Sequence, residues 1–142
     1  MDFLLIDDFQ YLGMPYHWGG NNPVSGFDCS GLVQWLLRSA GIDPVGDQTA
    51  QGLFDIFEKK YGVTNVTKAG VLCFYGAHIA AISHVAFCID SFRVIEAGGG
   101  DHTTVSKDVA EKQGACVRIS HVSHRKDLIA KIQPDYATIG LI

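Results

Sequence analysis

Two periodicities divide this chain, and the change between them falls near Gly62. On the N-terminal side, Phe3, Leu4, Leu5, Ile6, Phe9 and Leu12 form a broad apolar face. They predict a short helix over residues 2–12, ended by Gly13 and Pro15. Residues 16–27 read as loop, because Gly19, Gly20, Asn21, Asn22, Pro23, Ser25 and Gly26 offer turn chemistry and no period. Leu32, Val33, Leu36, Leu37 and Ala40 then recur at helical spacing. They predict a helix from about Cys29 to Ala40, with Asp28 as N-cap and Gly41 as stop. A second helix is expected over about 47–60, with Leu53, Phe54, Ile56 and Phe57 as its apolar part.

Beyond Gly62 the texture is that of strands. Val71-Leu72-Cys73-Phe74-Tyr75 reads as a buried strand. Val85 to Ile89 and Phe92 to Ala97 read as a strand pair, and Cys116 to Ser120 as a further strand. Lys126 to Ile132 predicts a short helix before Pro134. Helices followed by strands predict an α+β domain, with the 142 residues forming one unit.

Composition narrows the class. Apolar residues make up 47% and charged residues 18%, the balance of a folded globular chain. The net charge of -4 argues against a general nucleic-acid binder. No segment is apolar for long enough to span a bilayer. The start, Met1-Asp2-Phe3-Leu4-Leu5-Ile6-Asp7-Asp8, does not read as a secretory signal, since acids interrupt its apolar run. That implies synthesis in the cytoplasm and delivery by another route if the substrate lies outside the cell.

Of the four cysteines, Cys73, Cys88 and Cys116 sit in apolar stretches and read as small buried hydrophobes. Cys29 differs, because small and polar residues surround it. A thiol attacks as thiolate, which a helix N-terminus and a nearby imidazole both favour. Cys29 stands at a predicted helix start, and Gly26 and Gly31 flank it with no side-chain bulk, leaving room for a substrate backbone. Among the six histidines, His84 opens a predicted strand, a rigid place to hold a base. His121 and His124 have no cysteine or carboxylate at a typical ligand spacing, so no metal and no cofactor is expected.

An imidazole base needs a third group to fix its tautomer. Glu96 and His102 are the candidates. Glu96 closes the strand after that of His84, just before Gly98-Gly99-Gly100. Strand side chains alternate faces. His84 and Glu96 are direct cross-strand partners only if an odd-length loop is centred on Asp90. A two-residue turn at Asp90-Ser91 would place them on opposite faces and transfer the role to His102, or to no residue.

Tyr16-His17-Trp18-Gly19-Gly20, then Gly26-Phe27-Asp28-Cys29-Ser30-Gly31-Leu32-Val33, then Ser83-His84-Val85-Ala86 resemble, in order and spacing, the NlpC-type family of cell-wall peptidases. The resemblance covers roughly residues 10–120. It implies a papain-like fold, in which N-terminal helices, one bearing the cysteine, pack on an antiparallel β-sheet bearing the histidine. It also implies cleavage of peptidoglycan stem peptides next to D-isoglutamyl residues, with Cys29 as nucleophile and His84 as general base. The family's third residue, usually His, Asn or Gln, falls on Glu96. Tyr16 matches a tyrosine near the nucleophile that helps polarise the scissile carbonyl. The residues matching Asp28 and Ser30 contact a substrate amine in some relatives. Val71 stands where relatives usually carry an acid.

Glu96-Ala97-Gly98-Gly99-Gly100 is similar to a segment of phage-encoded relatives, which implies a setting among phage tail or lysis proteins; the start of the chain fits equally a cytoplasmic enzyme that recycles wall peptides. Two rival functions are compatible with the same residues. One is an amidase or acyltransferase acting on another amide or ester. The other is a catalytically silent wall-binding module.

Overall fold

The computed structural model describes residues 9–42, 44 and 46–136. Most of the helix expected over 2–12 lies outside them. A two-residue ribbon, β1 (Asn21–Asn22) with β2 (Gly26–Phe27), leads into α1 (Cys29–Ser39). Then come α2 (Ala50–Tyr61), β3 (Leu72–Gly76), β4 (Ile82–Cys88), β5 (Arg93–Gly98), α3 (Lys107–Gln113), β6 (Cys116–His121) and β7 (Leu128–Ile132). The main sheet has five antiparallel strands in the order β6-β5-β4-β3-β7.

The apolar stripe of α1 explains how the layers join. Leu32, Val33, Leu36 and Leu37 are fully buried against the sheet, together with Leu53, Phe54 and Phe57 of α2. Leu72, Phe74, Val85, Phe87 and Ile95 supply the sheet's side of this core. Ile56 of α2 faces outward instead. The sheet's other face carries Cys73, Tyr75, Ala86, Cys88 and Val94. The β6–β7 connection covers that face: Val122 packs on it and accepts a hydrogen bond from the Tyr75 hydroxyl at 2.8 Å.

The start of α1 is tied down by its own cap. Asp28 Oδ1 accepts from the Gly31 N–H at 2.7 Å, and Oδ2 accepts from the Gly19 N–H at 3.1 Å. One carboxylate thus caps the helix and fixes the preceding loop to it. Gly31 was expected to open space for substrate; instead it admits the loop. A Cβ there would fall 2.0 Å from the Gly20 carbonyl oxygen. Gly26, with φ +99°, likewise faces Pro15 and His17 of the chain itself. Gly31→Ala is therefore expected to destabilise the fold by about 2–3 kcal/mol despite alanine's better helix propensity, read as a lower midpoint in urea.

Two elements depart from the sequence reading. Lys126 to Ile132 does not form a helix. Residues 128–132 are β7, paired with β3 from Leu72↔Ile132 to Tyr75↔Leu128. The open edge of β3 offers these residues a ladder, and that pairing overrides the local pattern. Lys131 fastens the new edge by donating to the Asn65 carbonyl and Thr67 Oγ1, both at 2.9 Å. The second difference is α3, which the apolar pattern did not announce. Ser106 caps it by accepting from Val109 N–H at 3.2 Å, and Gly114, with φ 64°, ends it.

Candidate active site

A cleft of about 720 Å³ opens where α1 begins, β4 begins and β5 ends, and both Cys29 and His84 line it. Cys29 is the first residue of α1, so its thiol sits at the positive end of the helix dipole. Its Sγ lies 3.9 Å from the Ser83 carbonyl, against the β4 segment that carries His84. Burial, and then the Asp28 charge, push the thiol up to about 11. The backbone N–H groups of Val85 and Ser30, and the Arg125 charge, pull the other way.

His84 and Glu96 meet, although not by the register expected. The β4–β5 pairing is Phe87↔Ile95 and Cys88↔Val94, which centres the hairpin on Ser91. The loop is odd in length, so His84 and Glu96 share a face, but as diagonal neighbours, a separation long side chains can bridge. His84 Nε2 lies 2.6 Å from Glu96 Oε1.

Glu96 is fully enclosed, with 0% of its surface exposed. Its Oε2 accepts from Ser120 Oγ at 2.8 Å and Arg118 Nε at 3.1 Å, and lies 3.0 Å from His124 Nε2. Burial alone would raise its pKa. The His84 hydrogen bond and charge, the Ser120 hydroxyl and the His124 charge outweigh burial and hold the carboxyl at about 2. An ionised carboxylate only accepts, so His84 must present its hydrogen from Nε2. The neutral ring then carries its lone pair on Nδ1, the atom left to exchange a proton with a thiol.

Tyr16 is buried along the cleft wall, and burial followed by the Cys29, Asp28 and Asp101 charges raises its pKa. The phenol therefore stays protonated and can only donate to a developing oxyanion. Gly100 has no side chain because the Tyr16 ring occupies that space, where a Cβ would approach to 2.3 Å. Asp28 also lines the cleft, yet its carboxylate is already engaged by Gly31, Gly19 and the Ser30 hydroxyl. Burial nonetheless shifts its pKa upward. His102 lies at the cleft rim, edge-on to the half-exposed Trp18 ring at 6.3 Å, and the hydrogen bond to His84 goes to Glu96.

Arg118, Ser120 and His124 escaped the sequence reading. Arg118 stands directly across from Glu96 in the β5–β6 register, and Ser120 follows on the same face. Only that register reveals them as its partners. His124, weighed above only for metal binding, is diverted to Glu96, while His121 Nδ1 is 2.8 Å from Ser123 Oγ. Among the described residues no three potential ligands converge on a metal site. No helix among them is long and apolar enough to cross a membrane.

Helices packed on a five-stranded antiparallel sheet, with a cysteine at a helix start and a strand-borne histidine lining one cleft, fit an α+β papain-like fold. The NlpC/P60 family profile matches residues 13–122, and the chain belongs to that family. It is 41% identical over 100 residues to the bifunctional muramidase/DL-endopeptidase CwlT of Bacillus subtilis, covering 66% of this chain and 29% of that protein. It is 32% identical over 97 residues to the gamma-DL-glutamyl hydrolase of the same organism, covering 68% of this chain and 23% of that protein. The chain thus spans about a quarter of the length of these relatives. The crystal structure of the NlpC/p60 domain of the peptidoglycan hydrolase SagA superposes with a TM-score of 0.63 at 26% identity, covering 92% of this chain and 96% of that one.

Proposed function

We propose that this chain is a cysteine peptidase that hydrolyses amide bonds in peptidoglycan stem peptides, at D-isoglutamyl-type bonds. The observation that carries the reading is the His84–Glu96 contact of 2.6 Å, in the cleft that also holds Cys29. The names of the Bacillus subtilis relatives supply the substrate class. The E-A-G-G-G segment suggests a phage tail or lysis assembly as the setting.

Acyl transfer proceeds in two steps. Cys29 passes its proton to His84 Nδ1 and attacks the scissile carbonyl. Negative charge develops on the carbonyl oxygen, where the Cys29 backbone N–H and the Tyr16 hydroxyl stabilise it. The imidazolium, steadied by ionised Glu96, protonates the leaving amine. His84 then takes a proton from water, which attacks the thioester and releases the acyl product. Asp28 and Ser30 shape the acyl side of the cleft, where the substrate amine falls. Digestion of defined muropeptides, read by mass spectrometry, is expected to give two fragments split at the γ-glutamyl bond. Intact muropeptides alongside turnover of simple esters or lipid amides would assign the site to an amidase or acyltransferase instead.

A further inference from the structure

Two arginines, Arg118 and Arg125, line the cleft together with Glu96, which pairs with Arg118 and His124. The two arginines differ in what they have left to offer. Arg125 is committed at both prongs, with Nε and Nη2 on the two Asp127 oxygens at 2.9 and 2.7 Å. Arg118 is committed at Nε, which donates to Glu96 Oε2 at 3.1 Å. Its side chain stays 38% exposed, and Arg118 lines the cleft.

Its orientation is built in. The guanidinium lies over the Gly98–Gly99 backbone. A Cβ at Gly98 would fall 2.8 Å from Nη2 and 3.1 Å from Cζ, and one at Gly99 would fall 3.4 Å from Nη1. The glycines thus make the bed, and the buried Glu96 fixes one edge. A guanidinium held in this way is pre-organised to take a carboxylate on its terminal nitrogens, by charge-assisted hydrogen bonds that an uncharged amide cannot match. An isoglutamyl residue is linked through its γ-carbonyl, so its α-carboxyl hangs free beside the scissile bond. Stem peptides carry a further carboxylate when the next residue is a diamino diacid.

We propose that Arg118 reads a free carboxylate on the stem peptide and so selects acidic stem peptides over amidated ones. The inference rests on the peptidase reading above. It concerns recognition and not the chemical step.

The test compares three synthetic muropeptides: the free acid, one amidated at the isoglutamyl α-carboxyl, and one amidated at the third-residue side chain. For the wild type, kcat/KM on the free acid is expected to exceed that on one amidated peptide by roughly 10- to 100-fold, the span of a lost charge-assisted hydrogen bond. The peptide that suffers identifies the carboxylate. In Arg118→Gln the ratio falls toward one, chiefly through KM for the free acid, and Arg118→Lys restores part of it. If Arg118→Gln depresses all three peptides alike, or moves the pH profile with the ratio unchanged, Arg118 serves only to hold Glu96 and the proposal is wrong. Binding isotherms with Cys29→Ala, with and without Arg118→Gln, separate the two readings. If no peptide is cleaved, the peptidase reading fails. Tighter binding of the free acid that vanishes with Arg118→Gln still supports carboxylate recognition, and equal affinities overturn it.

Discussion

Cys29→Ala is expected to lose muropeptide cleavage by a factor on the order of ten thousand or more, the scale seen when a nucleophile is removed. Its melting temperature should stay within a few degrees of the wild type. The thiol borders an open cleft, so its removal leaves little sealed cavity. The thiol also makes a sharper prediction about its partner. Burial and the Asp28 charge push Cys29 up to about 11. Alone, such a thiol would be thiolate to about one part in ten thousand at pH 7. In the proposed mechanism it becomes competent by handing its proton to His84, so the reactive species is the ion pair. Alkylation of the wild type should therefore proceed readily at mildly acidic to neutral pH. In His84→Ala it should be negligible at pH 7 and rise only as pH approaches the thiol's own value. Identical alkylation profiles in the two proteins would disconnect the pair and favour a silent wall-binding module.

Which parts of this were legible in the sequence follows from what each signal depends on. The α1 helix and its Asp28 cap were legible because both are local: an apolar stripe, and a short acid one residue before it. The strand pair was legible for the same reason, but the parity of its loop was left open between an odd loop and a two-residue turn. The register within that pair was not legible. Direct opposition and opposite faces were the outcomes foreseen, and the chain uses the diagonal. The partners of Glu96 were illegible, since Arg118 and Ser120 reach it only through the pairing of β5 with β6. His124 arrives on a connection crossing the sheet. For β7 a local pattern misled, because the open edge of β3 lies far away in sequence. The α3 helix shows the reverse case. Its Ser106 and Gly114 punctuation is in the sequence, but with only Val109 and Ala110 apolar it has no stripe to see.

Glu96→Gln is expected to cost about three to four orders of magnitude in kcat, more than its near-identical shape suggests. The carboxylate meets His84 on Oε1 and Arg118, Ser120 and His124 on Oε2. A glutamine must turn its NH₂ toward one side. Arg118 can only donate, so the amide oxygen is drawn to the Oε2 side and the NH₂ faces His84. Nε2 must then accept, which places the ring hydrogen on Nδ1, where the thiol needs a lone pair. The ring is thus trapped in the wrong tautomer, and the charge that steadied the imidazolium is gone. Stability should fall as well, by about 1–3 kcal/mol, because a neutral amide cannot satisfy all the donors that the buried carboxylate accepts. The pH dependence carries its own sign. The carboxyl is held at about 2, below its ordinary 4.5, so its contribution is complete above 4.5 and is lost as pH falls toward 2. Wild-type melting temperature should therefore drop across that window, while the Gln variant, already lowered, should lose less there. Full activity of Glu96→Gln at pH 7, together with an inactive His102→Ala, would move the orienting role to the histidine at the cleft rim.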